Sequence, residues 1–330
     1  MNFFAVLLAL LLEQLKPLRH GNSIHQAVIG WVRWTGRNFD AGDEHHSTIV
    51  WLITVTGPAA VAAAVHLLLR HYLGFVLALV FDVVILYLTL GFRQFSHYFT
   101  DIRDALEQGD DMEARRLLSA WRHLDASELP RTELLRHVIE HSLLAAHRHV
   151  FGVFFWFVVL STVGLGPAGA VLYRMAEFAG RFWAFNSRTL DAPTNERLMQ
   201  LSRRMFGWID YIPARMTATG FAIVGNFEEA VNGWRRDASL WLHANEGIIL
   251  ASAAGALGLQ LGGAAAPGVT PDRSKTFDSG VDLDATGADG STPGALPQLG
   301  HLQSVVALVW RSVVLWMLLL ALLTLANLVG

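Results

Sequence analysis

The sequence contains a run of residues, 150–173, in which no side chain carries a charge. About 20 apolar residues are enough to cross a bilayer as a helix, so this run predicts a membrane-embedded element. Its flanks are basic, with His147-Arg148-His149 before it and Arg174 after it. The internal sequence Gly164-x-Gly166-Pro167 interrupts a helix, because proline lacks an N–H and disfavours helical geometry at the preceding residue. We therefore expect one kinked span or two half-helices that meet in the membrane, with function at the ends of this element.

The composition indicates a membrane protein and excludes several kinds of site. Hydrophobic residues make up 53% of the chain, and the mean hydropathy is +0.37. We predict an all-α, polytopic helical membrane protein with about four to six membrane helices. The chain has no cysteine, which excludes disulfides, thiolate metal sites and cysteine nucleophiles. No strongly basic domain is present, so we expect no nucleic-acid partner.

Four further apolar segments predict membrane helices at residues 1–12, 48–69, 73–92 and 305–329. The first lacks the positive leading region and the small-residue cleavage site of a signal peptide, which favours an uncleaved helix. The basic stretch 16–46 indicates a cytoplasmic loop by the positive-inside rule. We interpret residues 1–330 as a single, multi-pass integral domain of the cell inner membrane, with the lipid bilayer as its partner.

Two polar regions interrupt the apolar segments. Residues 93–149 predict a cytoplasmic helical hairpin, because apolar residues recur at helix spacing on both sides of Gly109-Asp110-Asp111. Residues 267–300 are rich in Gly, Pro, Ser, Thr and Asp, which predicts a disordered loop. The segment 174–211 is also basic, so a re-entrant hairpin bent at Gly164–Pro167 would place both basic loops on one side.

Two local patterns carry alternative interpretations. The sequence His137-Val-Ile-Glu140-His141 matches a zinc-protease signature, and histidines four residues apart share a helix face. No third ligand is recognisable nearby, so we predict no metal site there. Asp82 lies in the middle of the apolar segment 73–92, where an ionisable residue is either functional or a packing carboxylate bonded to a neighbouring helix.

Several motifs, taken in order over about residues 80–230, resemble the CobD/CbiB family, the membrane-bound adenosylcobinamide-phosphate synthases of cobalamin biosynthesis. The matching pieces are Tyr87-Leu-Thr-Leu-Gly91 with Arg93, Gly109-Asp110 with Ala114-Arg115, Phe155-Trp156, Gly166-Pro167-Ala-Gly169 with Tyr173-Arg174, and Ile212-Pro213-Ala214-Arg215. The resemblance implies a corrinoid substrate and Mg²⁺.

The chain departs from this family in its acidic motifs. Where the family has E-N-T-S-D-G before its Phe-Trp pair, this chain has the stretch from Leu144 to His149. The family's N-T-L-D-S after Tyr-Arg is replaced by the stretch from Glu177 to Arg181, and its paired aspartates by Phe206-Gly207. Joining a carboxylate to an amine through an activated phosphate needs metal-binding carboxylates and phosphate-holding cations. The arginines remain, but most of those carboxylates are absent.

This pattern is similar to the related AmpE family, inner-membrane proteins linked to β-lactamase induction and peptidoglycan sensing. Chains of that type have an Arg seven residues before the Phe-Trp pair, which corresponds to Arg148, and an aromatic, basic segment like Arg181-Phe-Trp183. The loss of acidic motifs favours a non-catalytic, regulatory protein of AmpE type with a cell-wall signalling partner and no cofactor. The alternative is a divergent synthase that joins aminopropanol (phosphate) to cobyric acid.

The synthase alternative assigns roles to six residues. We expect catalysis from Glu140, Glu177 and Asp210, and binding of substrate or phosphate by Arg148, Arg174 and Arg215. Simpler interpretations remain: Arg174 and Arg215 as interfacial anchors, and Glu140 as the partner of Arg136 in an ion pair at helix spacing.

Overall fold

The computed structural model describes residues 2–15, 23–39, 44–122, 125–188, 195–263 and 288–329, and these residues form α-helices without extended strands. The helices are α1 (Asn2–Leu15), α2 (Ser23–Phe39), α3 (Glu44–Leu68), α4 (Phe75–Thr89), α5 (Phe92–Glu107), α6 (Asp111–Arg122), α7 (Arg131–Ala146), α8 (Gly152–Thr162), α9 (Ala168–Arg188), α10 (Glu196–Ile209), α11 (Tyr211–Val224), α12 (Phe227–Asp237), α13 (Ala244–Leu257) and α14 (Leu299–Val329). The predicted all-α class is confirmed.

Three helical stretches are long and apolar enough to cross a membrane: His46–Leu73, Arg131–Thr162 and Leu299–Ala326. Shorter apolar helices are α1, α4 and α13. The apolar part of the central stretch is 72% buried inside the protein, against 28% for His46–Leu73 and 33% for Leu299–Ala326. The central stretch is therefore the core of a polytopic helical membrane protein, and the other two leave most of their apolar surface for lipid.

The central run is broken where the sequence predicts. Helix α8 ends at Thr162, a turn follows in which Gly164 and Gly166 have φ of +83° and +57°, and α9 begins at Ala168. A methyl group on Gly169 would lie 1.9 Å from the carbonyl oxygen of Trp156, so the two helices touch at backbone distance. Small residues permit such contact between membrane helices. The two helices form an antiparallel hairpin.

The other polar regions match the prediction in part. Helices α5 and α6 form a hairpin at a turn where Gly109 has φ of +79°. The next helix begins at Arg131 and continues without interruption through Ala146 and a π-helical turn, His147–Phe151, into α8. The predicted hairpin region and the central span are therefore one continuous helix at this point. Between α3 and α4 the chain forms a π-helical turn, Leu69–Leu73, which is followed by Gly74 with φ of +85°.

The predicted disordered loop differs from the structure in its last third. Residues 264–287 lie outside the described residues, but 288–298 form an irregular segment packed on the end of α13. Isolated bridges pair Leu259 with Ala295 and Gly262 with Ser291. The hydroxyl of Thr292 also accepts a hydrogen bond from the Leu261 N–H at 2.8 Å. Small polar residues here satisfy backbone groups rather than remaining solvated.

Candidate active site

A cavity of about 330 Å³ lies where the end of α7 meets α9, α10 and the start of α13. Its wall contains three arginines, three carboxylates and two histidines among apolar side chains. The polar residues of the wall are His147, Arg148, Glu177, Arg181, Arg203, Asp210, Tyr211, His243, Asn245 and Glu246. A concave site with converging polar groups of both charges is the usual form of a binding or active site.

The π-helical turn brings two of these residues to the cavity. It comprises His147–Phe151, with α7 before it and α8 after it. Single π turns within an α-helix are frequent at functional sites, because the extra residue changes the direction of the side chains. His147 and Arg148 line the cavity, whereas Val150 and Phe151 belong to the hydrophobic core.

Asp210 is the centre of a buried hydrogen-bond network. Its Oδ1 lies 2.8 Å from Nε2 of His147 and accepts a hydrogen bond from the Tyr173 hydroxyl, also at 2.8 Å. The second ring nitrogen of His147 lies 2.8 Å from the hydroxyl of Thr217. In the contact between Tyr173 and Asp210 the phenol is the donor, because a carboxylate oxygen accepts hydrogen bonds.

Arginines hold the other two carboxylates of the cavity. Arg148 donates to Oε1 of Glu246 at 2.5 Å. Glu177 is buried between two cations: Arg174 donates to its Oε2 at 2.8 Å, and Arg181 pairs with its Oε1. Helix spacing sets this second arrangement, because the arginines stand three residues before and four residues after Glu177. Contact with two guanidinium groups satisfies the hydrogen-bonding capacity of this buried carboxylate.

Arg215 and Asn245 close one side of the site. The guanidinium of Arg215 stacks 3.3 Å from the centre of the Tyr211 ring and donates to the Tyr211 carbonyl at 2.8 Å. The side-chain amide of Asn245 donates to the Gly207 carbonyl at 2.9 Å and lies 3.3 Å from Oδ2 of Asp210. Helix α13 therefore contributes to the same wall as α10 and α11.

The structure brings together five of the six residues singled out from the sequence. Arg148, Glu177 and Asp210 line the cavity. Arg174 contacts it through Glu177, and Arg215 through Tyr211 and Asn245. The interpretation of Arg174 as an interfacial anchor stays a prediction, and its guanidinium is paired with Glu177 in the structure.

Glu140 lies elsewhere. It is not among the residues that line the cavity, and its Oε1 accepts a hydrogen bond from the Gly262 N–H at 2.7 Å. Arg136 pairs with Glu133 and donates to the carbonyls of Gly262 and Gly263. This part of α7 therefore holds the backbone of residues 262–263, and the expected Arg136–Glu140 ion pair at helix spacing is replaced by one with Glu133.

The two histidines of the pattern on α7 have protein partners on α6. Nδ1 of His137 lies 2.9 Å from the guanidinium of Arg122, and the His141 ring packs edge-on against Trp121 at 4.4 Å between ring centres. A guanidinium beside an imidazole opposes binding of a second cation. Among the described residues, no group of three or more His, Asp or Glu side chains could hold a metal ion.

Asp82 has a partner on another helix. Its Oδ1 lies 2.6 Å from Nδ1 of His66, which belongs to α3. Gly166, in the turn before α9, packs on the same histidine, because a methyl group there would lie 2.4 Å from the ring. This geometry agrees with the packing-carboxylate interpretation of Asp82.

Sequence reasoning missed several wall residues: His147 as a partner of Asp210, and Arg181, Arg203, Asn245 and Glu246. His147 carried a visible signal, since it opens the basic cluster before the charge-free run. Glu246 also carried one, because it is the acid in the first turn of the Gly/Ala-rich helix α13. Arg203 lies on an amphipathic helix whose polar face resembles any solvated surface.

Comparison with known proteins gives a family match and several related sequences. The model of the CobD/CbiB protein family matches residues 2–283. A cobalamin biosynthesis protein CobD of Stutzerimonas stutzeri is 32% identical over 239 residues, which cover 72% of this chain and 71% of that protein. A CobD protein of Chromobacterium violaceum is 33% identical over 231 residues, with 66% and 67% covered. No solved structure matches the chain significantly. The extent of the family match and the identity to these relatives show that the chain belongs to the CobD/CbiB family.

Proposed function

We propose that this protein acts in cobalamin biosynthesis as an adenosylcobinamide-phosphate synthase of the inner membrane. It would join the amine of aminopropanol (phosphate) to a carboxylate of cobyric acid. The observation that carries the proposal is the convergence of Arg148, Glu177 and Asp210 on one cavity beside the central span. The names of the relatives favour this synthase alternative over the hypothesis of an AmpE-like regulator. That hypothesis rested on the loss of acidic motifs.

The cavity suits the polar ends of both substrates. Arginines are the usual partners of carboxylate and phosphate groups, and Arg148, Arg181 and Arg203 all line the wall. A volume of about 330 Å³ is at the small end of ligand pockets. It therefore accommodates the amino alcohol and the reacting side chain of a corrinoid, while the macrocycle stays outside the cavity.

One carboxylate of the wall, Glu246, comes from α13 and partly compensates for the acidic motifs that this chain has lost. The stretches 144–149 and 177–181, where the chain departs from the family's motifs, both supply wall residues, among them Arg148 and Arg181. Each of these arginines faces a carboxylate, Glu246 and Glu177 respectively. The site thus retains both charges, but as pairs within the protein.

The described residues do not present a ready Mg²⁺ site. Glu177 and Glu246 are held by arginines, and Asp210 by His147 and Tyr173. The Mg²⁺ requirement that the resemblance implies stays a prediction. These residues would supply a wall with fixed charges that orients a bound amine and a bound carboxylate toward each other.

Genetic complementation tests the proposal. A strain that lacks its own synthase would express this chain and grow on cobyric acid, with cobinamide as the rescue control. We expect growth that Asp210→Ala and Arg148→Ala abolish at equal membrane expression. Absence of growth with well-expressed wild-type protein would contradict the synthase proposal and favour the AmpE-like hypothesis instead. Fractionation of the same cells tests the inner-membrane location.

A further inference from the structure

Asp210 differs from the other two carboxylates of the cavity in the charge of its partners. Glu177 and Glu246 each contact arginine. The side chains that contact Asp210 are His147, Tyr173 and Asn245, of which a phenol and an amide carry no charge. Within the described part of the chain, Asp210 forms no ion pair with arginine or lysine. It is therefore the carboxylate of this wall whose negative charge is least neutralised.

The hydrogen bonds also distinguish the two oxygens of Asp210. Tyr173 and His147 both bind Oδ1, at 2.8 Å each. Oδ2 has the amide of Asn245 at 3.3 Å, which is a long contact. A carboxylate oxygen accepts more than one hydrogen bond, so Oδ2 has capacity for a donor that enters the cavity.

The position of His147 is itself fixed from both sides. Nε2 of the His147 ring lies 2.8 Å from Oδ1 of Asp210. Nδ1 of the same ring lies 2.8 Å from the Thr217 hydroxyl. Thr217 is buried and does not line the cavity, which excludes it as a nucleophile for a bound substrate. Its contact orients the imidazole, and the imidazole orients Asp210.

We infer that Asp210 binds the primary ammonium group of the substrate through Oδ2, and that His147 is the positioning residue that holds Asp210 for this contact. This inference rests on the proposed function and adds an assignment within it. His147 lies in the stretch 144–149 where this chain departs from its family's motif. A histidine–aspartate unit therefore supplies the anionic contact of this site.

The test compares two ligands that differ in one group. The probes are 1-aminopropan-2-ol phosphate and propane-1,2-diol phosphate, in which a hydroxyl replaces the ammonium. Their affinities for the full-length protein in detergent are measured by calorimetric titration. We expect the wild type to prefer the amine by about ten- to a hundredfold, as for a hydrogen bond between charged groups. Asp210→Asn keeps the shape of the side chain and should remove the preference.

The preference ratio separates this role from a structural one. A loss of folding weakens the binding of both ligands equally, whereas loss of the ammonium contact weakens only the binding of the amine. His147→Ala should lower the preference by about three- to tenfold, and His147→Gln, which retains an N–H donor, should restore part of it. Asp82→Asn is the matched control, because it removes the carboxylate of another His–Asp pair and should leave the ratio unchanged.

The outcomes distinguish the two proposals. An equal preference in wild type and Asp210→Asn, or no binding of the amine by the wild type, overturns the ammonium site. A wild-type protein that prefers the amine but does not complement the synthase-deficient strain supports the site and contradicts the synthase activity.

Discussion

The central helix carries two clusters of ionisable residues, one in α7 and one in the π-helical turn that follows it, and the two clusters have different surroundings. In α7, Arg136 and Glu140 bind the backbone of residues 262–263. Two turns later, His147 and Arg148 line a cavity with partners from three other helices. The first cluster uses its polar atoms to fix a loop, and the second leaves polar atoms facing a space that a ligand can occupy. Burial and charge alone therefore do not identify a functional residue; the space beside them does.

The largest expected effect is at the cavity. Asp210→Ala removes the acceptor for Tyr173 and His147 together with the negative charge of the wall. We expect the kcat/KM of synthase activity to fall by about 100-fold or more, which corresponds to about 2.7 kcal/mol of transition-state stabilisation. The measurement is cobinamide phosphate formed by purified protein in detergent.

The matched variant for this prediction is Glu140→Gln in α7. Its amide oxygen still accepts from the Gly262 N–H, so we expect activity within about threefold of the wild type. A loss as large as that of Asp210→Ala would mean that both clusters serve the reaction, and the contrast between them would disappear.

A second prediction perturbs the cavity without changing a charge. A methyl group on Gly152 would lie 2.1 Å from the Tyr173 ring, and this ring carries the hydroxyl that donates to Asp210. Gly152→Ala should destabilise the protein by about 3 kcal/mol, the upper range for overpacking, and should lower activity as Tyr173 shifts. Thermal unfolding in detergent and the synthase assay give the two values.

Gly30→Ala provides the control for this glycine. Gly30 lies in α2 and has no atoms within 4 Å of an added methyl group, so this variant should be neutral or slightly stabilising. If Gly152→Ala behaved in the same way, the close packing of α8 and α9 would not position Tyr173.

How far the sequence predicts this site depends on the distance in the chain between contacting residues. The Gly164–Pro167 break predicts the α8–α9 turn, and the three-residue spacing of Arg174 and Glu177 predicts their contact. The contacts of His147 with Asp210 and of Arg148 with Glu246 join residues 63 and 98 positions apart. Nothing local encodes them, because they depend on how α10 and α13 pack against the central helix. The contact of Glu140 with Gly262 is also distant in the chain, so the sequence alone does not distinguish Glu140 from a catalytic acid.

The third prediction tests the structural cluster. Glu140→Ala removes the acceptor for a buried N–H of Gly262 and the carboxylate beside Arg136. We expect the free energy of unfolding to fall by about 1–3 kcal/mol, the usual cost of an unsatisfied buried group. The variant should stay within about threefold of wild-type activity per folded molecule. Glu140→Gln should recover most of the stability; a variant with normal stability but little activity would instead make Glu140 catalytic.

The smallest effect is expected where a histidine–aspartate pair has no cavity. His66 and Asp82 lie 2.6 Å apart, closer than His147 and Asp210, but neither lines the cavity described above. Asp82→Asn keeps a hydrogen-bonding group beside His66, so we expect a change of about 1 kcal/mol or less in the free energy of unfolding. Synthase activity should stay within about twofold of the wild type.

The measurements for Asp82→Asn are thermal unfolding and the synthase assay, with Asp210→Asn as the parallel substitution. Loss of activity in Asp82→Asn at unchanged stability would show that a buried ionisable pair can serve function without a cavity beside it. A cavity would then not explain the difference between the His66–Asp82 and His147–Asp210 pairs.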